Sequence, residues 1–291
     1  MDPKKILIVP KLSMVLADMH RYVIDYETLL EKYHQEMKSA SYLIEHHRNQ
    51  IRSLEVLRNV LPEATWLSRE QFNAMEAEKA DLIISAGGDD HLKYLSHYVK
   101  DTPIIGLNSD PKKSVGALLE SDIEETVRKL LDDDFQIHKE TRITARIGIE
   151  TYVNALSLYN LMMNNPDDNC RFIILDNGKH EVISISTGIQ FYNGNATEDW
   201  SKGAGKYLGD RRTIFRPTER RIGYIIREPH DDYAHNHGVL EEGEVLIIRC
   251  EKDNNRISPD GIKEHYKLTN RGEEVFFSIS DQPLHRVRLT P

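Results

Sequence analysis

Asp81-Leu-Ile-Ile-Ser-Ala86-Gly87-Gly88-Asp89-Asp90-His91 is the stretch on which the reading of this chain turns. A short apolar run of strand-forming residues ends in paired glycines, and a helix is predicted from about Asp90 to Val99. Glycines let the backbone turn sharply and approach a ligand closely. Amides at such a turn, and at the start of the helix that follows, favour a phosphate. A carboxylate held among them, Asp89, is suited to orient a sugar hydroxyl or to take its proton beside a magnesium-bound phosphate. The same residues also suit a plain tight turn with Asp89 as helix N-cap.

Outward from this stretch, strands and helices alternate. Lys5–Pro10, Ala64–Leu67 and Thr102–Asn108 read as further short strands. Leu29, Leu30, Tyr33, Met37, Tyr42, Leu43, His46, Ile51, Leu54, Leu57 and Val60 recur near helical spacing, so Asp25–Leu61 is predicted to be one long helix or two joined ones. Ser68–Gln71 fits a capping box opening another helix, and Asp122–Leu131 reads as a helix with acidic residues early. This order implies a largely parallel sheet covered by helices. After about Thr141 the pattern changes to short runs of β-formers, such as Ile143–Ile149, Phe172–Leu175 and Val245–Cys250. Turn signals separate them, including Asp176-Asn177-Gly178 and Glu242-Gly243. The expected organisation is an α/β domain over 1–138, an antiparallel all-β domain over 139–279 and a C-terminal segment, 280–291.

Composition narrows the classes. The 291 residues carry a net charge of −9, against the basic surplus of a nucleic-acid binder. The two cysteines, Cys170 and Cys250, lack zinc or disulfide spacing. No run reaches transmembrane length and no signal-peptide pattern opens the chain, so the expected compartment is the cytoplasm, with no membrane partner. His230, His235 and His237 form a dense His/Asp segment with no further ligand apparent, and no metal site is assigned to them. Lys202 and Lys206, among glycines, and Arg211, Arg212 and Arg216 read as a polar loop and strand rim.

A second polar segment, Gly106-Leu-Asn108-Ser109-Asp110-Pro-Lys-Lys-Ser114-Val-Gly116, follows the next strand. Ligands of open α/β sheets gather at this carboxyl edge, and Asn108, Ser109, Asp110 and Ser114 suit ribose or phosphate contacts. Turn residues in an ordinary loop have the same composition.

With both segments in view, the chain resembles the NAD kinase family. Gly87-Gly88-Asp89 matches the start of that family's Gly-Gly-Asp-Gly-Thr motif. Asn108 to Gly116 is similar to the Asn-x-Asp-Pro-x-x-Ser-x-Gly segment of its mitochondrial-type branch. Ser186-Thr187-Gly188 resembles the opening of its Gly/Ser/Thr-rich loop, and Ser258-Pro-Asp-Gly261 and Gly272–Ser278 also resemble that branch. The resemblance implies an NAD kinase/diacylglycerol kinase-like α/β domain and a β domain, with the segment after about Ser280 returning to the first domain. It further implies transfer of the ATP γ-phosphate, with Mg2+, to the 2′-hydroxyl of the adenosine ribose of NAD, in a homodimer or homotetramer. Asp89 would act on the hydroxyl. Gly87, Gly88, Asp90, His91, Asn108, Ser109, Asp110, Ser114 and Gly116 would surround phosphates and ribose. Asn154, Ser186, Thr187 and Gly188 would border a base or second nucleotide.

The sequence departs from the family pattern at several of these places. Asp90 and His91 replace Gly-Thr, the Asn-Glu pair reads Asn154-Ala155, and Ile189-Gln-Phe-Tyr-Asn-Gly194 follows Ser186-Thr187-Gly188. A nucleotide sensor without turnover, or a kinase of another nucleoside, sugar or lipid acceptor, would fit the same scaffold.

Overall fold

The computed structural model describes residues 2–36, 40–165, 167–176, 180–196, 214–230 and 236–290. The Asn177-Gly178 turn, Lys202, Lys206, Arg211, Arg212 and His235 lie outside them. The chain divides into two compact units. One comprises Met1–Leu95, Thr102–Ile137 and Arg286–Pro291; the other comprises Ser96–Asp101 and His138–His285.

In the first unit β1 (Ile6–Pro10), β2 (Thr65–Trp66), β3 (Leu82–Gly87) and β4 (Ile104–Asn108) pair in parallel. The six-stranded sheet runs β2-β1-β3-β4-β18-β5, where β5 is Phe135–Glu140 and β18, Leu284–Leu289, comes from the end of the chain. β18 runs parallel to β4, with Arg286 opposite Ile104. Ile6, Ile8, Leu82, Ile84 and Ile104 have no exposed surface. Such unbroken apolar runs are expected of a sheet covered on both faces. The helices are α1 (Met14–Tyr22), α2 (Tyr26–Gln35), α3 (Ala40–Val60), α4 (Ala74–Lys79), α5 (Asp89–Ser96) and α6 (Ile123–Leu131). Leu57 and Leu61 at the end of α3, with Val127 and Leu130 of α6, pack on the sheet. Each such side chain contributes roughly 1.5–3 kcal/mol by leaving water.

Three local features bear on the expectations. Over 25–61, of the two alternatives, the structure has two helices, α2 and α3. Glu36 N closes α2 on Lys32 O, and both helices contribute to one small core with Leu29, Tyr33 and Ala40, which is why their spacing reads as continuous. Helix α1 was not anticipated; Ser13 Oγ caps it by accepting from Leu16 N at 3.2 Å. Ser68 and Gln71 do make the reciprocal bonds of a capping box, at 2.9 and 3.4 Å, but they close a turn. The helix begins later, at Ala74, with Asn73 as its cap.

The second unit contains two antiparallel sheets of six strands. One runs β10-β9-β14-β17-β6-β7 and the other β13-β12-β11-β8-β15-β16. The first uses β6 (Ile143–Ile147), β7 (Glu150–Thr151), β9 (Cys170–Asp176), β10 (His180–Ser186), β14 (Val245–Cys250) and β17 (Glu274–Ile279). The second uses β8 (Leu158–Met163), β11 (Gly188–Tyr192), β12 (Arg221–Arg227), β13 (His237–Glu241), β15 (Asn255–Pro259) and β16 (Lys267–Thr269). Tyr159, Phe172, Phe191, Leu246, Ile257 and Phe277 belong to one core, and Phe191 stacks on Phe277 at 4.0 Å between ring centroids. Both cysteines are free and buried in this core; burial pushes the Cys170 thiol up to about 12 and the Cys250 thiol up to about 11. Buried Arg142 donates to the carbonyls of Gln282, Ser96 and Val99 at 2.7, 3.1 and 2.8 Å. No helix among the described residues is long and apolar enough to cross a membrane.

Candidate functional site

The parallel sheet of the first unit brings Gly87-Gly88-Asp89 to the end of β3 and the 108–118 loop to the end of β4. Gly87 lies opposite Asn108 in the ladder, and Ser109 N donates to Gly87 O at 3.1 Å. A Cβ on Gly87 would stand 2.8 Å from Lys11 Cβ and 3.0 Å from His91 Cβ, so this glycine is required by the chain itself. A Cβ on Gly88 would meet nothing within 4 Å. The space over Gly88 lies at the N-terminus of the eight-residue helix α5, a position where backbone amides in general favour an anion.

Asp89 is the first residue of α5, and its carboxylate is held from outside the helix. Oδ2 accepts from Ala117 N at 3.1 Å and Oδ1 from Leu118 N at 3.0 Å. Those amides follow Gly116, whose φ of +59° and approach to the Asn108 side chain exclude a larger residue. Asp90 lies in the same first turn with its side chain 80% exposed, 3.9 Å from Lys93 Nζ.

Several residues anticipated as ligand contacts are used inside the protein. His91 is buried and its Nε2 donates to Val9 O at 2.9 Å; burial lowers its pKa to about 4, so the ring is neutral and bonded inward where a phosphate donor was expected. Asn108 is 1% exposed; its Nδ2 donates to Ser114 O and its Oδ1 accepts from Asp110 N, both at 3.0 Å. Asp110 accepts from His46 Nδ1 and, at 3.0 Å, from Asn49 Nδ2. Its carbonyl accepts from Lys113 N and Ser114 N at 3.1 and 3.0 Å. The segment is therefore an internally bonded brace. Its polar residues follow a rule the sequence already carried, that Asn, Asp and Ser bond their own backbone in turns.

Helix α3 supplies what the sequence reading did not find. Besides His46 and Asn49, Gln50 Nε2 donates to Lys11 O at 2.5 Å, and Ser13 Oγ lies 2.8 Å from His47 Nδ1. Burial lowers the His47 pKa. The adjacent polar letters His46-His47-Arg48-Asn49-Gln50, within an otherwise amphipathic helix, were the available signal.

In the second unit, Asn154 borders a pocket of about 530 Å³ with Thr144, Arg146, Arg220, Phe276 and Gln282. Asn154 Nδ2 donates to Gln282 Oε1 at 3.4 Å. Among the described residues, Asn154 Oδ1 and Thr144 Oγ1 are buried and have no hydrogen-bond partner, which leaves two polar atoms for a ligand or water to satisfy. Ser186-Thr187-Gly188 carries the chain from β10 in one sheet to β11 in the other. Gly188 has φ +150°, and a Cβ there would stand 2.6 Å from Leu161 O. Thr187 N donates to Arg227 O at 3.0 Å. This corner explains its small residues by backbone crowding. Among the described residues no group of three or more His, Cys, Asp or Glu is arranged to hold a metal.

No family model matches the chain. A structure titled as an NAD kinase from Archaeoglobus fulgidus in complex with ATP superposes over 98% of the chain and 93% of its own, with a TM-score of 0.61 and 15% identity, which establishes the fold. Human "NAD kinase 2, mitochondrial" is 30% identical over 127 residues, 40% of this chain. A rice "Probable NADH kinase" is 22% identical over 284 residues, 87% of this chain and 85% of its own length. The chain is thus similar to NAD kinases, in sequence over part of its length and in fold over nearly all of it. The stretch matched to the human NAD kinase spans 28% of that protein's length. At the turn where the sequence resembles the NAD kinase motif, Gly87-Gly88-Asp89 is followed by Asp90, an exposed carboxylate, and His91, a buried ring.

Proposed function

We propose that this protein is a phosphotransferase that uses ATP to phosphorylate the 2′-hydroxyl of the adenosine ribose of NAD or NADH. The observation that carries this reading is the turn at the end of β3. Gly88 is open to close approach, and beside it the Asp89 carboxylate is fixed by two backbone amides. A fixed carboxylate at a phosphate-binding helix terminus serves positioning, which supplies much of the barrier reduction in phosphoryl transfer. Each Asp89 oxygen accepts one amide and keeps a lone pair, with which it can orient the acceptor hydroxyl and receive its proton.

The substitutions within the motif are compatible with this chemistry. His91 points inward and so does not obstruct the phosphates. Exposed Asp90 would repel bare phosphate but fits a magnesium ion carried on the nucleotide, since magnesium is usually bound through one or two carboxylates and substrate phosphates. When bound, that ion supplies neutralisation of charge developing on the transferred group. We further expect cytoplasmic residence and assembly as a homodimer or homotetramer.

A second reading, nucleotide sensing without turnover, is favoured by the engagement of both Asp89 oxygens. The two separate in one experiment. The protein is incubated with ATP and magnesium plus NAD or NADH, and NADP or NADPH is sought by chromatography. The expected result is product that falls by at least about 10²-fold in Asp89→Asn, the scale of lost acid–base catalysis. Nucleotide binding by calorimetry with no product from either acceptor would overturn the kinase reading in favour of the sensor.

A further inference from the structure

Asp110 is 1% exposed, yet it carries a carboxylate. A buried carboxylate requires hydrogen-bonding partners, and α3 supplies them: His46 Nδ1 donates to Oδ2 and Asn49 Nδ2 donates to Oδ1 at 3.0 Å. The Asp110 carbonyl then gathers Lys113 N and Ser114 N. Asn108 ties the Ser114 carbonyl, and Gly116 lies so close to the Asn108 amide that a Cβ would stand 2.4 Å from its Nδ2. The next two amides, Ala117 and Leu118, hold Asp89. Leu118 O in turn accepts from buried Arg286. An unbroken series of short contacts therefore runs from the middle of α3 to the carboxylate at the phosphate turn, all within the first unit.

We propose that His46 and Asn49 are positioning residues for Asp89. By fixing Asp110 they fix the 108–118 loop, and the loop's Ala117 and Leu118 amides set the direction of the Asp89 carboxylate. This rests on the reading of Asp89 as the group that orients the acceptor hydroxyl. It assigns the polar loop a role different from ligand contact: the loop transmits the position of α3 to the reacting carboxylate. Misplacement of a reacting group by about 1 Å can cost on the order of 10²-fold in rate, so a remote clasp of this kind has kinetic leverage. Neither side chain needs to touch a nucleotide for the effect.

The test uses the full chain with His46→Ala, His46→Gln, Asn49→Ala, Asp89→Asn and the double variant His46→Ala/Asp89→Asn. Two measurements are made: hydrogen exchange of the Ala117 and Leu118 amides, and kcat and KM for product formation. In His46→Ala and Asn49→Ala those amides are expected to exchange at least about tenfold faster, while Ile105 in β4 keeps its protection. The kcat is expected to fall about 10- to 100-fold with KM for ATP within about twofold, and His46→Gln, which keeps a donor, to recover most of it. The double variant should be no slower than Asp89→Asn alone, because the clasp acts through Asp89. Unchanged exchange at Ala117 and Leu118 in both alanine variants would overturn the proposal, as would rate losses that multiply in the double variant. If the wild-type protein forms no product, the reading of Asp89 as catalytic fails by itself. The exchange measurement then decides separately whether α3 sets the loop, faster exchange supporting the clasp and unchanged exchange overturning it.

Discussion

Gly87 and Gly88 are adjacent, but they lack side chains for different reasons. At Gly87 an added Cβ would press on Lys11 Cβ at 2.8 Å and on the buried His91. Gly87→Ala is expected to lower stability by about 1–3 kcal/mol, the usual cost of overpacking, and to appear as a lower denaturant midpoint. At Gly88 the space is open. Gly88→Ala is expected to leave the midpoint within about 0.5 kcal/mol of wild type, yet to weaken ATP binding measured by calorimetry; equal affinity would mean that no phosphate comes close to this backbone. His91 gives a pH signature. Burial holds its folded pKa near 4, below the value of about 6.5 for an unperturbed histidine. Between those values the unfolded chain binds the extra proton, so stability is full above about pH 6.5 and falls as pH drops toward 4, by roughly 3 kcal/mol from this group. His91→Asn retains a side-chain donor for Val9 O without an ionisable ring. Its urea midpoint is expected to change less between pH 7 and pH 4.5 than that of wild type.

Among the elements, the link from β15 to β16 shows why a motif can be legible before its reason is. Ser258-Pro-Asp-Gly261 stands out in the sequence, but its spacing does not reveal that Asp260 is a hub. The Asp260 carboxylate accepts from Leu156 N, Ser157 N, Leu158 N and Ser157 Oγ at 2.6, 2.8, 3.0 and 2.7 Å, and from His97 Nε2 at 2.8 Å. Asp260 sits at φ +49° to do so. Its partners lie more than a hundred positions away in sequence, where no periodicity reaches. Asp260→Ala leaves several buried donors unpaired and is expected to cost about 3–5 kcal/mol, read as a lowered urea midpoint for the β-rich unit. The same contrast holds for the Gly87-Gly88-Asp89 turn. Strand β3, the glycines and helix α5 follow from local rules, since an apolar run, a flexible turn and a helix start are each decided by neighbouring residues. The function of Asn108 and Asp110 did not follow, because the same letters serve a ligand or their own backbone. The choice was made by His46 and Asn49, some 60 positions earlier. Helix α1 escaped notice because one short helix after a strand gives little periodic signal, although its cap, Ser13, is visible in the sequence.

At the level of the whole molecule, both halves of the architecture were legible from the switch in hydrophobic period near residue 140, since covered parallel sheets and antiparallel sandwiches write different patterns. The return of the segment after about Ser280 to the first domain was expected from the family resemblance and not from local pattern, because β18 carries only six residues and pairs with a strand far earlier in the chain. It lies between β4 and β5, so its loss would open the interior of a sheet and not trim an edge. Leu284 and Val287 are 0% and 1% exposed, and Arg286 holds Leu118 O. A chain ending at Pro283 is expected to expose β4 and to lose protection at Ile104 and Ile105 in hydrogen exchange. Retention of their wild-type protection would contradict a structural role for β18.

The strand that completes the first sheet beside β4 is thus made long after β4 itself. During synthesis, β1 to β4 emerge early, but the strand that lies beside β4 follows only after the whole β-rich segment, about 150 residues later, from Ile137 to Leu284. At typical elongation rates that delay is roughly 10–30 s. Throughout it the nascent sheet has an unpaired edge beside an apolar strand, the kind of surface that recruits chaperones or neighbouring chains. Folding of the Gly87-Gly88-Asp89 turn therefore waits on synthesis of β18, and a ribosome stalled before it would hold a polypeptide with every residue of that turn in place but without Arg286 to hold the loop that fixes it.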